Sequence, residues 1–172
     1  MFQVDLRELA RGPVDVVGEL AGNDPLFAGL DFVLSGPVRA RGRLQSAGAG
    51  RFYWQGRLSA QVTAPCRRCL VPVTADVQAD IGALFAGDAE AEEDPDSYPL
   101  APGADAVDLT PAVREELALA APRFVLCRPD CRGLCPRCGH DLNTGPCGCP
   151  AAVDSRWEAL AESKGRPPNS ER

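Results

Sequence analysis

The sequence predicts an α+β protein, an antiparallel β-meander or partly closed barrel followed by a helix and a cysteine-rich segment. Three observations carry this. Residues 52–63 alternate without a break: Phe52, Trp54, Gly56, Leu58, Ala60 and Val62 share one parity, Tyr53, Gln55, Arg57, Ser59, Gln61 and Thr63 the other. That period of two marks a half-buried strand. A second alternating run, Val71, Val73, Ala75, Val77, Ala79 and Ile81, follows the short stretch from Cys66 to Cys69, so the pair reads as a hairpin. Six of the eight cysteines then fall between residues 127 and 149.

The remaining elements follow in order. Residues 14–17, after Gly12-Pro13, and residues 32–34 are short strand candidates. Residues 38–44 alternate, with Arg39, Arg41 and Arg43 on one face and Val38, Ala40, Gly42 and Leu44 on the other. Gly48-Ala49-Gly50 signals a turn before the long hairpin. A β-rich domain is therefore expected over 1–87, and an acidic, solvated linker over 88–107. A helix should start with Thr110 as N-cap and Pro111 in its first turn. Val113, Leu117 and Ala120 or Ala121 would form its buried stripe, Glu115 and Glu116 would favour its N-terminal end, and Pro122 would end it. Phe124-Val125-Leu126 reads as a short strand. A last helix can begin at Ser155, which has capping-box spacing to Glu158 and would bury Trp157, Leu160 and Ala161. Residues 108–164 thus read as a helix plus cysteine module packed on the β domain, and 165–172 as a disordered tail.

Charge is unevenly placed. The net charge is −6, yet residues 88–116 alone hold ten carboxylates against one arginine, so the acidic balance describes one segment. No run approaches the ~18–20 apolar residues that span a bilayer, and the first residues lack a basic and then apolar leader. A cytoplasmic location is expected, where thiols stay reduced and eight cysteines read as metal ligands or redox groups before disulfides.

Cys135-Pro-Arg-Cys138-Gly139 has the pattern of a zinc knuckle: two thiolates two residues apart grip one ion, and Gly139 lets the chain bend around it. Zn²⁺ takes four ligands, so a second close pair must complete the site. The set Cys135, Cys138, Cys147 and Cys149 is favoured, with Cys131 and Cys127 as alternates; His140, inside the ligand loop, is a further substitute. A structural ion fits better than a catalytic one, which keeps an open position. Cys66 and Cys69 form a second CxxC, a metal or redox pair, with Cys127 and Cys131 available as partners for a second site. A plain turn with free thiols is the blander reading.

Four features in order make the chain resemble the YceD family, the large ribosomal RNA subunit accumulation proteins: PCRRCL at 65–70, the acidic linker, DLTPAVREELALAAP at 108–122, and LCRPDCRGLCPRCGHDLN at 126–143. The resemblance implies a role in accumulation or processing of large-subunit ribosomal RNA, and no catalytic residue.

A non-enzymatic ribosome-biogenesis factor with structural Zn²⁺ is therefore expected, its partner a large-subunit ribosomal RNA or a large-subunit ribosomal protein. The RNA-binding candidates are Arg39, Arg41, Arg43, Arg67, Arg68, Arg132 and Arg137, joined by Arg128, since guanidinium groups fork onto phosphates. The alternative is a redox-responsive zinc-centre chaperone, because a CxxC plus CxC centre becomes reactive once its metal leaves.

Overall fold

The computed structural model describes residues 2–48, 50–87 and 97–150. The expected helix from Ser155, with Trp157 and Leu160, and the tail lie outside the described residues. Strands dominate: β1 Gln3–Asp5, β2 Val14–Leu20, β3 Val33–Leu34, β4 Val38–Gly48, β5 Arg51–Pro65, β6 Pro72–Ala86, β7 Ser97–Pro99 and β8 Ala106–Asp108. A single helical turn, α1 Leu6–Leu9, a 3₁₀ turn at Pro25–Phe27 and a longer helix, α2 Thr110–Ala120, complete the set among the described residues.

The main sheet runs β2-β4-β5-β6-β7, with β3 pairing β5 off this path. Neighbours from β2 to β6 are antiparallel, and β7 joins β6 in parallel. No pairing joins β2 to β7, so among the described residues the sheet is an open meander rather than a closed barrel. The hairpin expected around Cys66 spans β5 and β6, with register kept from Arg51↔Ala86 to Pro65↔Pro72.

The alternation of the sequence translates into one buried face. Val38, Ala40 and Leu44 of β4, Trp54, Leu58, Ala60 and Val62 of β5, and Val77, Ile81, Ala83 and Phe85 of β6 are buried together. Each large side chain of this kind contributes about 1.5–3 kcal/mol by leaving water. The cross-strand pair Gly42↔Gly56 interrupts the run of side chains. A Cβ on Gly42 would lie 2.4 Å from the Gln55 carbonyl oxygen, and one on Gly56 2.5 Å from that of Arg41. Only glycine permits this approach.

Helix α2 covers the sheet, packing on β6 and β5. Ala112, Val113 and Leu117 are buried in the same core as Trp54, as are Val107 and Leu109 just before the helix. Arg114 fixes its orientation, donating from Nε to the Leu26 carbonyl at 2.7 Å and from Nη2 to that of Ala28 at 3.1 Å. Thr110 is the first helical residue rather than the N-cap; the Asp108 carboxylate takes the capping role, accepting from the Thr110 amide at 2.9 Å. At the far end Ala120 packs half-buried against the core; Ala121 is buried and extended because Pro122 follows.

Two further expectations are corrected. The stretch read as a solvated linker over 88–107 contains β7, whose Tyr98 stacks on Phe85 at 5.1 Å, and the first two residues of β8, which pairs with β1. Sparse but well-placed apolar groups suffice where a ready strand edge supplies hydrogen bonds. Residues 124–126 form no strand: the segment makes one backbone contact with the hairpin, the Arg67 amide donating to the Val125 carbonyl at 3.0 Å.

Candidate metal centres

The β5–β6 hairpin ends in a tight turn at Cys66-Arg67-Arg68-Cys69-Leu70. The Cys66 amide donates to the Val71 carbonyl at 2.8 Å, and the Leu70 amide returns to the Cys66 carbonyl at 2.9 Å. Among the described residues Leu70 is the one non-glycine residue with positive φ, at 64°. The second CxxC repeats this geometry. The Gly139 amide donates to the Cys135 carbonyl at 2.9 Å, and Gly139 has φ 71°. In both turns the chain doubles back one residue past the second cysteine, and amides face the first sulfur.

The eight cysteines gather into two groups. Cys66, Cys69, Cys127 and Cys131 form one, and Cys135, Cys138, Cys147 and Cys149 the other; within each, the sulfurs lie within 4.8 Å of one another. In the first group Cys66 Sγ stands 3.9 Å from Cys131 Sγ, and Cys69 Sγ 3.6 Å from Cys127 Sγ. Four sulfurs ~2.3 Å from a shared ion sit about 3.8 Å apart along the edges of their tetrahedron. The donor set and its spacing therefore fit a tetrathiolate metal ion, and each group could hold one.

Cys127 and Cys131, read from sequence both as alternates within the downstream site and as partners of Cys66 and Cys69 in a second one, stand in the second arrangement. The reason is the docking of the segment on the hairpin end. Arg68 donates from Nη1 to the Cys131 carbonyl at 2.8 Å, and its own carbonyl accepts from the Leu134 amide at 2.9 Å. Gly133, at φ 74°, passes so close that a Cβ there would lie 2.7 Å from the Arg68 carbonyl oxygen. His140, the other substitute, is exposed and outside both groups; its carbonyl, not its ring, accepts from the Cys135 amide at 2.8 Å.

Asn143, assigned no role from sequence, links the groups. Its Oδ1 accepts from the Arg132 amide at 2.8 Å, and its Nδ2 lies 3.6 Å from Cys131 Sγ and 2.6 Å from Asp141 Oδ1. The only sequence signal was an Asp and Asn two residues apart, a common turn pattern.

The thiols are not equivalent. Backbone N–H of Cys69 leads in lowering Cys66 to about 6, and those of Cys138 and then Arg137 lower Cys135 to about 6. Burial pushes Cys127 up to about 12, and the Cys138 sulfur leads in pushing Cys149 up to about 12. Each group thus offers a ready thiolate from its CxxC turn, and an incoming cation would have to displace the protons of Cys127 and Cys149.

The arginines divide by environment. Arg39 is paired with Glu19 at 2.8 Å and Arg43 with Asp15 at 2.8 Å, so neither is the free cation expected. Arg43 and Asp15 shift each other's pKa, Arg43 upward and Asp15 downward, first through their hydrogen bond. Arg67 lies 4.0 Å over the Phe124 ring, and Arg68 is spent on backbone carbonyls. Arg128 meets Asp130 at 3.5 Å. Arg132 and Arg137 are exposed within the cysteine segment. Four thiolates around a divalent ion would carry a net charge of −2, which the arginines beside the two groups would offset before they met an outside anion.

A family profile described as "Large ribosomal RNA subunit accumulation protein YceD" matches residues 54–162. An uncharacterized protein of Mycobacterium tuberculosis is 35% identical over 112 residues, 64% of this chain and 54% of the relative. An uncharacterized protein of Mycobacterium leprae is 30% identical over 112 residues, 62% of this chain and 50% of the relative. The chain spans about half the length of these curated relatives. No solved structure matches.

Proposed function

The chain belongs to the YceD family of large ribosomal RNA subunit accumulation proteins, and from that premise we propose that it is a non-enzymatic ribosome-biogenesis factor supporting accumulation or processing of large-subunit ribosomal RNA. The observation that carries the reading is the extent of the family match, which takes in the hairpin turn, helix α2 and all eight cysteines. Its partner is large-subunit ribosomal RNA or a large-subunit ribosomal protein. No helix among the described residues is long and apolar enough to cross a membrane, which accords with work in the cytoplasm.

Both cysteine groups hold structural Zn²⁺ in this reading. Soft thiolate ligands in a tetrahedron select zinc or iron, and four protein ligands leave no open position for a substrate. Cys66, Cys69, Cys127 and Cys131 would hold one ion and tie the downstream segment to the hairpin; Cys135, Cys138, Cys147 and Cys149 would hold the other and close the loop between them.

The test is depletion of the protein in growing cells, with large- and small-subunit ribosomal RNA quantified together. A selective fall in the large-subunit RNA, reversed by the wild-type gene, is expected; unchanged ratios overturn the role. Metal analysis of the purified protein should find zinc, and an iron thiolate spectrum would overturn its assignment. The redox-responsive alternative draws on the exposure of Cys138 and the partial exposure of Cys147 and Cys149. It requires peroxide to release metal and switch on holdase activity together.

A further inference from the structure

The outward face of the sheet carries a pair of like charges at its centre, Arg57 paired with Asp80 and Arg41 without a carboxylate. Arg41 of β4 and Arg57 of β5 are directly opposite in register, in a row that reads Val17, Arg41, Arg57, Asp80 across four strands. Side chains opposite in an antiparallel pair have Cβ atoms about 4.5–5.5 Å apart, where like charges destabilise. Every carboxylate on this face is engaged elsewhere: Glu19 with Arg39, Asp15 with Arg43, Asp80 with Arg57 and Asp76 with Gln61. Among the described residues Arg41, unlike its neighbours Arg39, Arg43 and Arg57 on this face, lacks an acidic partner. Beside it Val17 is 77% exposed.

Two depressions meet along this row. One, about 580 Å³, includes Gln55 in its lining; the other, about 800 Å³, includes Ser59 and Gln78; Val17, Arg41 and Arg57 line both. A cationic ridge between two hollows of mixed polar and apolar lining, with the arginine-paired Asp15 and Asp80 in one and Glu19 in the other, has the layout of a phosphodiester site: the phosphate on the guanidinium groups, a nucleoside to either side. Because the other charges of this face are paired, it suits one discrete anion rather than a long electrostatic track.

We propose that Arg41 and Arg57 bind a backbone phosphate of single-stranded RNA on the outer face of the sheet, with the flanking nucleosides in the adjoining depressions. This rests on the reading of the protein as a ribosome-biogenesis factor and names its RNA contact. Gln55, Ser59 and Gln78 supply donors and acceptors for sugar hydroxyls or base edges. Arg57, already held by Asp80, positions the fork, and Arg41 supplies the uncompensated charge.

The experiment measures binding of the full-length, zinc-loaded protein to a labelled single-stranded RNA oligonucleotide across a salt series. Arg41→Gln is expected to weaken binding roughly tenfold and to reduce the slope of log K against log salt by about 1. Metal content should be unchanged, and the melting temperature should rise slightly as the like-charge contact is relieved. Arg57→Gln should also weaken binding. Arg132→Gln, beside the cysteine groups, should have less effect. Wild-type affinity and slope in Arg41→Gln overturn the proposal, as does competition by inorganic phosphate equal to that by unlabelled RNA, because free phosphate fills neither depression. Failure here with large-subunit RNA still falling on depletion rejects this surface alone; unchanged RNA levels on depletion reject the biogenesis role.

Discussion

Leu70 and Gly139 occupy the same left-handed backbone position, at φ 64° and 71°, each one residue past the second cysteine of a CxxC turn. Glycine adopts this conformation freely, whereas a leucine bears a cost of about 1–2 kcal/mol. Leu70 is 62% exposed and gains little from burial in return, so the turn itself holds it there. Leu70→Gly should therefore stabilise the protein by up to about 1 kcal/mol, reduced by the greater freedom of glycine in the unfolded chain. Gly139→Ala should destabilise it and weaken metal retention at its own cluster. Denaturant unfolding at constant zinc checks both signs.

Two metal equivalents per chain are expected, and the two groups should respond differently to loss of a ligand. Cys66 and Cys131 are 65 residues apart in sequence, whereas the other group is confined to residues 135–149. Cys66→Ser should remove one equivalent and free the docked segment from the hairpin, because that ion closes a long loop. Cys138→Ser should remove one equivalent while the hairpin junction survives. Native mass spectrometry gives the stoichiometry, and limited proteolysis around residue 127 reports the junction.

In the metal-free protein two thiols per chain, Cys66 and Cys135, should titrate near pH 6. Their folded pKa lies below the unfolded value of ~8.5. The stability they contribute is thus present above that value and is lost as pH falls through about 6. Cys127 and Cys149, raised to about 12, behave oppositely: their contribution is present below the unfolded value and lost as pH rises toward 12. Thiolate absorbance of the chelated protein, followed with pH, should show a first step of two thiols; a single step near the free-thiol value would contradict the amide–sulfur geometry.

Gly56→Ala should cost about 1–3 kcal/mol. Its Cβ would meet the Arg41 carbonyl oxygen at 2.5 Å, and neither backbone can retreat without parting β4 from β5. Thermal unfolding measures the loss, and Gly103→Ala is a useful contrast: open space surrounds that glycine, so only its φ of 75° opposes the change.

The sheet was legible from sequence wherever burial is one-sided. The parity of Trp54, Leu58 and Val62 against Gln55, Ser59 and Gln61 states outright which side chains leave water. The Cys135-Cys138-Cys147-Cys149 group was legible because its ligands are close in sequence and Gly139 announces the turn. Its partner was harder to read. Leu70 hides a backbone conformation that glycine would advertise, and nothing local chooses between the two places that the sequence offers Cys127 and Cys131. That choice is made by Arg68 and Gly133, whose backbones meet only in the folded chain. Strands β7 and β8 were missed for a similar reason: three residues leave no periodicity, and the partner of β8, the three-residue β1, is both remote and as short.

Helix α2 and the residues just before it share one core with Trp54 and Leu58, and this has a consequence for synthesis. Translation delivers the entire hairpin before Val107, Leu109, Val113 and Leu117 exist, so the nascent sheet must wait with its apolar side only partly covered by Phe2, Val4, Leu9 and Phe27. A transcript truncated between the hairpin and the helix yields a product that sticks to its neighbours rather than a smaller working protein.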